Sequence, residues 1–237
     1  MIRVPLPGVA LDAPRLALPA EAAHYLLRVR RLNPGERVIA FDGRGGEVEA
    51  ELCDDEAGPA LRTLGTPKTG RTSAPLTLCY GLPKGDKLET VVRQCTELGV
   101  GRVLLLSTKR SVVQLDGPRA AKRRERLQRV AEEAARQSGR ADAPTIEGPF
   151  SVADAAAATG DHALRLTLHP GAPALTAPLG VAPVALFVGP EGGFSPDELA
   201  TLTAAGVPPV GLACPVLRTE TAAVVACALV LHRMSML

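Results

Sequence analysis

The chain has few aromatic side chains: its 237 residues include no tryptophan, two tyrosines and four phenylalanines. A broad aromatic platform for stacking on bases is therefore excluded, and stacking would fall largely to arginine. Arginine is plentiful, because only five of the 27 basic residues are lysines.

Long apolar runs are also missing. None reaches the roughly 18 residues that a membrane-spanning helix needs, and the first residues do not resemble a signal peptide. The five cysteines are far apart without a C-x-x-C spacing, and no histidine pair has a metal-binding interval. We therefore expect a cytoplasmic protein with reduced cysteines, no membrane partner and no metal.

Three familiar nucleotide or catalytic motifs are absent. Residues 189–194 are rich in glycine but lack the Gly-Lys-Ser/Thr ending of a P-loop. The G-x-G at residues 43–45 lies in a predicted hairpin, where tight turning explains it better than a dinucleotide does. No G-x-S-x-G elbow of a serine hydrolase occurs.

Basic charge is concentrated in the middle of the chain. The net charge is +2, yet residues 74–150 carry +5 and residues 151–237 carry −3. Residues 122–129 contain five of these basic side chains. Such a run is either a solvated helix face or a nucleic-acid surface, and charge alone does not decide between them.

The pattern of elements changes near residue 70. Residues 66–75 combine proline, glycine and threonine without periodicity, which predicts a linker. Residues 1–70 then form a small β-rich domain, with a helix at 21–32 and a hairpin of strands 36–42 and 47–52.

Residues 71–237 alternate between strands and helices, which predicts an α/β domain with a mainly parallel sheet and helices on both faces. Ser195 with Glu198, and Asp86 with Glu89, fit capping boxes. The last helix, residues 220–234, is nearly all apolar, so it must be buried on most sides, for example at a subunit interface. The strand candidates are residues 76–80, 103–107, 164–168, 184–188 and 210–213.

Two motifs lie where a predicted strand gives way to a helix: residues 189–194, Gly-Pro-Glu-Gly-Gly-Phe, and residues 217–222, Leu-Arg-Thr-Glu-Thr-Ala. Glycines allow a close backbone approach, and the helix starts offer unpaired N–H groups, which suits a nucleotide-like cofactor. Glu191 is a general base, a ligand contact or a loop-ordering residue. Thr219 and Glu220 fit a helix cap and dipole partner, whereas Arg218 has no such explanation.

With residues 96–100 and 133–140, these motifs make the chain resemble the bacterial 16S rRNA uridine-N3 methyltransferases of the knotted SPOUT superfamily. Residues 24–35 and 41–45 resemble that family's PUA-like RNA-binding domain. The resemblance implies a trefoil-knotted C-terminal domain, a homodimer through the knot helices, and 16S rRNA of the small ribosomal subunit as partner.

The resemblance also implies S-adenosylmethionine as cofactor, bound by three loops. The cofactor-binding residues implied are Leu168, His169, Gly189, Pro190, Glu191, Gly192, Gly193, Leu212, Cys214, Val216, Leu217 and Thr219. Arg218 or Arg140 would stabilise a uridine anion, and Glu220 would accept the N3 proton or orient an arginine. The RNA-binding residues expected are Arg28, Arg30, Arg31, Arg110, Lys122, Arg123, Arg124 and Arg126.

One segment departs from the family pattern: Ala213 and Pro215 stand where a glycine and an arginine are usual. A non-catalytic RNA-binding ribosome assembly factor therefore stays open. A knotted RNA methyltransferase acting on a ribose 2′-hydroxyl or a guanine also stays open, because the fold does not fix the acceptor atom.

Overall fold

The structure is a computed structural model that describes residues 1–56, 58–85, 87–111, 117–176, 179–180 and 182–237. The chain forms two compact units: Met1–Thr72 with Glu132–Ala143, and Ser73–Ala131 with Pro144–Leu237. The linear division at residue 70 did not anticipate that Glu132–Ala143 folds with the first unit. No helix in the described part of the chain is long and apolar enough to cross a membrane.

The first unit contains one six-stranded sheet, in the order β1-β3-β4-β5-β2 with β6 beside β4. Strands β1 and β3 are parallel, and the other pairs are antiparallel. Buried aliphatic side chains from these strands form its core. The strands are β1 (Ile2–Pro5), β2 (Arg15–Ala17), β3 (Arg37–Phe41), β4 (Gly46–Asp55), β5 (Gly58–Thr63) and β6 (Lys68–Thr69).

The predicted hairpin is present as β3 and β4, but the helix and the linker need correction. The helix comprises α1 (Ala20–His24) and a π-helical turn, Tyr25–Val29, closed by a 2.9 Å hydrogen bond from Arg30 N–H to the Tyr25 carbonyl. The wider turn keeps Leu26 fully buried. The supposed linker contains β6, whose backbone pairs with β4.

The second unit contains a six-stranded sheet in the order β12-β10-β11-β7-β8-β9, in which every pair is parallel. The predicted parallel α/β architecture is therefore confirmed. The elements are β7 (Ala74–Gly81), α2 (Lys87–Leu98), β8 (Val100–Leu106), α3 (Gly117–Gln137), β9 (Thr145–Phe150), α4 (Val152–Ala158), β10 (Leu164–Leu168), β11 (Val184–Val188), α5 (Pro196–Ala204), β12 (Pro209–Val210) and α6 (Thr219–Arg233).

Helices cover both faces of this sheet. Leu78 and Tyr80 of β7 belong to a core cluster shared with α2 and α6, whereas Cys79 belongs to a second cluster shared with α4 and α5. Successive side chains of a strand point to opposite faces, so a strand buried on both faces reads as a continuous apolar run. That is why β10 and β11 were predicted with their observed bounds.

Helix starts follow the sequence signals in one case and not in another. Ser195 and Glu198 form the complete capping box of α5. Asp86, the predicted cap of α2, lies outside the described residues. Helix α6 has Arg218 as N-cap, and the Thr219 hydroxyl donates to the Gly189 carbonyl instead of capping the helix. The predicted capping role of Thr219 is therefore wrong.

Helix α6 buries one side and exposes part of the other. Ala223, Cys227 and Val230 are buried, whereas Val225 is 40% exposed. The apolar exposure continues beyond the helix to Met236. Within this chain only the inner face of α6 is therefore buried, and burial of its outer face at a subunit interface stays a prediction.

Candidate cofactor cleft

A cleft lies at the carboxyl edge of the parallel sheet, where the segments after β10, β11 and β12 meet. Loops at this edge come together because parallel strands end on the same side, and ligands of open α/β sheets bind there. All of the cofactor-binding residues expected from the sequence line the cleft except Gly192. The lining residues are Leu168, His169, Pro170, Gly171, Val188, Gly189, Pro190, Glu191, Gly193, Leu212, Cys214, Pro215, Val216, Leu217, Thr219 and Ala222.

Five lining residues are not among the expected cofactor-binding residues: Pro170, Gly171, Val188, Pro215 and Ala222. Ala222 was accessible to sequence reasoning, because it follows Thr219 by three residues and shares its helix face. Val188 ends the run that was predicted only as an apolar strand, residues 184–188. Gly171 has a φ of +80°, which favours glycine, but an isolated glycine carries no specific signal.

Backbone packing explains the glycines in residues 189–193, here called the glycine loop. A side chain on Gly189 would bring its Cβ within 2.9 Å of the Gly193 carbonyl carbon. Gly193 has a φ of +68°, and its N–H donates to the Pro190 carbonyl at 2.8 Å. The loop is therefore folded tightly on itself, with its outer side along the cleft.

Two side chains hold carbonyl groups of the glycine loop. The Thr219 hydroxyl donates to the Gly189 carbonyl at 2.6 Å, which joins the start of α6 to the loop. Arg110 Nη1 donates to the Gly192 carbonyl at 2.6 Å, and the Arg110 side chain packs over the Gly192 Cα. Arg110 therefore orders the glycine loop, a role that its expected contact with RNA did not include.

The carboxylate of Glu191 points to the start of α2. It accepts the Lys84 N–H at 3.2 Å and pairs with Lys87 Nζ at 3.0 Å. Burial raises the pKa of Glu191, but hydrogen bonds from its own N–H, from Lys87 and from Lys84 outweigh burial and lower the pKa overall. The hydrogen bond to Glu191 in turn raises the pKa of Lys87. Glu191 is thus an ionised, loop-ordering residue that also lines the cleft.

Arg218 and Glu220 flank the first helical residue of α6. The Arg218 side chain is exposed, and no described residue forms a hydrogen bond or ion pair with it. Glu220 Oε2 lies 3.3 Å from Lys87 Nζ. Arg218 lies between Leu217 and Thr219, which line the cleft, and its side-chain donors are exposed.

Tyr80, at the end of β7, is a buried residue that sequence reasoning missed. Its side chain is fully buried, and its hydroxyl has no hydrogen-bond partner among the described residues. Burial raises the pKa of Tyr80, and the nearby Thr219 hydroxyl offsets part of this rise. The phenol therefore stays protonated beneath the start of α6.

Arg140, unlike Arg218, is a buried arginine with an ion-pair partner. It belongs to the first unit, is 2% exposed, and pairs with Asp142 at 2.9 Å. A guanidinium group buried to this extent has no surface to offer to a nucleotide. We therefore assign Arg140 to the packing of the first unit rather than to a catalytic role.

The basic residues of α3 fall into two groups. Arg123 and Arg126 both pair with Glu89 of α2, at 3.2 and 3.0 Å. Lys122 and Arg124 are exposed, and the only described contact of either is from Arg124 to the Gly148 carbonyl at 3.4 Å. Half of the basic residues expected to bind RNA on this helix are thus held in an ion pair.

Arg28, Arg30 and Arg31 are exposed at the end of the π-helical turn in the first unit. Arg31 has a φ of +55°, which is an uncommon conformation for arginine. The next residue, Leu32, donates its N–H to the Leu26 carbonyl. No described residue pairs with these three guanidinium groups. They form a basic patch with its hydrogen-bonding groups open to a ligand.

Comparison with known proteins identifies the family. The family described as an RNA methyltransferase domain matches residues 71–231, and an RNA methyltransferase PUA domain matches residues 18–55. Ribosomal RNA small subunit methyltransferase E of Mycobacterium bovis is 36% identical over 206 residues, which cover 84% of this chain and 79% of that protein. The chain belongs to this methyltransferase family.

Two solved structures extend the similarity to the fold. Ribosomal RNA small subunit methyltransferase E from Neisseria gonorrhoeae, bound to S-adenosylmethionine, has a TM-score of 0.84 at 29% identity, covering 98% of this chain and 97% of that one. A Legionella pneumophila methyltransferase in complex with the same cofactor has a TM-score of 0.86 at 29% identity, with the same coverages. The family resemblance and the fold class expected from the sequence are confirmed.

Proposed function

We propose that this protein transfers a methyl group from S-adenosylmethionine to N3 of a uridine in 16S rRNA, in the cytoplasm. The observation that supports this best is the cleft, where nearly all the cofactor-binding residues implied by the family resemblance meet at one sheet edge. Family membership supports the reaction and the small-subunit RNA. The assignment of N3 as the acceptor atom is argued from the side chains at the rim of the cleft.

The residues of the cleft fit S-adenosylmethionine. The glycine loop and Gly171 present backbone without side chains, which suits the close approach of a nucleoside. Apolar side chains of the cleft provide a wall for a base. The apolar wall comprises Leu168, Val188, Leu212, Val216, Leu217 and Ala222. When bound, the cofactor supplies an electrophilic methyl group.

The side chains at the cleft rim have to prepare the acceptor. Uridine N3 carries a proton and becomes nucleophilic once this proton is lost, so anion stabilisation lowers the barrier. Arg218 has free donors for O2 or O4 of the base, and Glu220 is the nearest carboxylate in sequence to accept the proton or to orient Arg218. Arg140 has no part in this mechanism because it is buried.

Recognition of RNA needs an unpaired or splayed uridine, because N3 is hidden in a base pair. We propose that Arg28, Arg30 and Arg31 bind phosphates from the first unit. Lys122 and Arg124 bind them from α3, with Arg110 beside the cleft. Arg123 and Arg126 contribute only if RNA competes with Glu89 for them.

We propose further that two copies associate through α6 and that the C-terminal segment forms a trefoil knot. The exposed apolar residues at α6 support association, since Val225 is 40% and Leu237 57% exposed. The hydrogen bond from Thr219 to Gly189 supports a tightly folded C-terminal segment. Sedimentation of the full chain tests the dimer, and a crystal structure traces the knot.

The decisive experiment measures transfer of labelled methyl from S-adenosylmethionine to small ribosomal subunits and to free 16S rRNA that lack the natural modification. Nucleoside analysis of the product is expected to give 3-methyluridine. A 2′-O-methylated nucleoside or a methylguanine would replace the acceptor and keep the cofactor. Tight RNA binding without transfer would instead favour the assembly-factor function.

A further inference from the structure

Lys87 opens helix α2 and reaches two carboxylates on two other elements. Its Nζ lies 3.0 Å from Glu191 Oε1 and 3.3 Å from Glu220 Oε2. Glu191 belongs to the glycine loop, and Glu220 lies in the first turn of α6. One ammonium group therefore joins α2, the glycine loop and the start of α6.

Both carboxylates depend on this ammonium group. No other lysine or arginine among the described residues pairs with Glu191 or Glu220. Glu220 Oε2 is buried and accepts no hydrogen bond within the described part of the chain, so the nearby Lys87 charge is its main compensation. Without that charge, two carboxylates would lie near each other with only the backbone N–H groups of Lys84 and of Glu191 itself as donors.

We propose that Lys87 is a positioning residue for methyl transfer: by pairing with Glu191 and Glu220, it fixes the glycine loop and the start of α6 in one arrangement. This inference rests on the proposed function, because it assigns the cofactor to the glycine loop and the acceptor to Arg218 and Glu220. Lys87 itself is not among the residues that line the cleft, so it acts through the two glutamates.

Two consequences follow for the reaction. Loss of the Glu191 pair frees the glycine loop, which weakens cofactor binding. Loss of the Glu220 pair frees the side chains that meet the base, which slows transfer even when both ligands are bound, since small misplacements are costly in rate. A residue that only stabilised the fold would lower the melting temperature without producing this split.

The test uses Lys87→Met and Lys87→Arg in the full chain. Lys109→Met is the matched control, because Lys109 pairs with Asp197 at an exposed site outside the cleft. Calorimetric titration with S-adenosylmethionine is expected to give a dissociation constant about five-fold higher for Lys87→Met, as for loss of one partly exposed ion pair. The kcat at saturating RNA is expected to fall by about ten-fold.

Arginine at position 87 keeps the charge and should restore most of both losses, and Lys109→Met should match the wild type. Wild-type binding and kcat in Lys87→Met, or no rescue by arginine, would refute the positioning role. If Lys87→Met does not fold, Glu191→Gln provides the test, since it should weaken cofactor binding to a similar degree; unchanged binding there refutes the proposal.

The two proposals fail in distinguishable ways. A wild-type protein that binds the cofactor but methylates no ribosomal RNA contradicts the proposed function. The cofactor affinities of wild type and Lys87→Met, compared by calorimetry, still test whether Lys87 positions the glycine loop. The double variant Lys87→Met with Glu191→Gln should bind the cofactor no more weakly than Lys87→Met alone, because the two residues act as one pair. Additive losses would contradict the pairing.

Discussion

The two units each contain a glycine-rich turn, but the polar groups of these turns have different partners. In the hairpin of the first unit, Asp42 Oδ1 accepts the N–H groups of Arg44 at 2.7 Å and Gly46 at 2.9 Å. In the glycine loop, Glu191 turns outward to Lys84 and Lys87, and the loop lines a cleft. The partners of the polar groups, rather than the number of glycines, distinguish a structural turn from a binding loop.

The largest effect is expected from substitution of the arginines near these turns. Arg44 and Arg218 are both exposed, but only Arg218 stands at the cleft rim. Arg218→Ala is expected to lower kcat by about 100-fold or more, as for loss of one donor to a developing anion. Cofactor affinity should stay within about two-fold.

Arg44→Ala is the control and should keep the wild-type kcat at saturating RNA. Single-turnover methyl transfer measures the rate, and calorimetry measures cofactor affinity for each variant. A wild-type rate in Arg218→Ala would remove this arginine from the mechanism.

The glycines themselves provide the second test. In Gly189→Ala the new Cβ would lie 2.9 Å from backbone of the glycine loop, and in Gly46→Ala it would lie 2.6 Å from the Asp42 carboxylate. We expect Gly189→Ala to weaken S-adenosylmethionine binding by about ten-fold or more, because overpacking distorts the cleft.

Gly46→Ala should lower the free energy of unfolding by about 1–3 kcal/mol and leave cofactor affinity unchanged. Calorimetry and denaturant unfolding of both variants separate the two effects. Equal cofactor affinities in the two variants would contradict the proposed distinction between a structural turn and a binding loop.

Helix α3 allows a similar contrast, because Arg123 and Arg126 are held in ion pairs and no described residue forms an ion pair with Lys122 or Arg124. The double variant Lys122→Glu with Arg124→Glu should weaken RNA binding by about ten-fold and reduce the salt slope by about two, since each phosphate contact contributes nearly one to that slope. Arg93→Glu, an exposed change on α2, is the control. An unchanged salt slope in the double variant would make α3 a solvated helix face.

The smallest expected effect concerns pH. The lowered pKa of Glu191 means that its pairing is present above its ordinary value of 4.5 and is lost as pH falls through the lowered value. The raised pKa of Lys87 keeps this residue charged up to and beyond its ordinary 10.5. Cofactor affinity should therefore stay level across neutral pH and decline by a few-fold, roughly, on the acid side.

Calorimetry of wild type and Glu191→Gln across this acid range checks the assignment. The glutamine variant should bind more weakly at neutral pH and lack the acid decline that Glu191 causes. The same acid decline in both proteins would attribute it to another group.

Sequence patterns predicted the second unit better than the first. Strands β10 and β11 and the α5 capping box were predicted with their observed residues, because buried parallel strands and caps are local signals. Strand β9 was missed because Gly148-Pro149 within it reads as a turn. Strand β12 ends at Val210, earlier than predicted, because the chain turns into the cleft there.

Long-range pairing explains what sequence reasoning could not reach at the candidate site. The family resemblance predicted that three loops bind the cofactor together. It did not predict the pair of Lys87 and Glu191, which are 104 positions apart and share no local pattern. Arg140 was taken for a catalytic group because it is the last residue of the family motif at residues 133–140. Its burial depends on Glu132–Ala143 folding with the first unit, which composition does not reveal.

The hydrogen bond between Thr219 and Gly189 has a consequence for the newly made protein. Every side chain that lines the cleft comes from residues 168–222, and the rim is finished by the first turn of α6. On the synthesising ribosome, the strands of both sheets emerge before this turn does, since β12 ends at Val210. The nascent chain therefore gains a complete cofactor cleft only after the start of α6 has been made, and any product truncated before Thr219 lacks one wall of it.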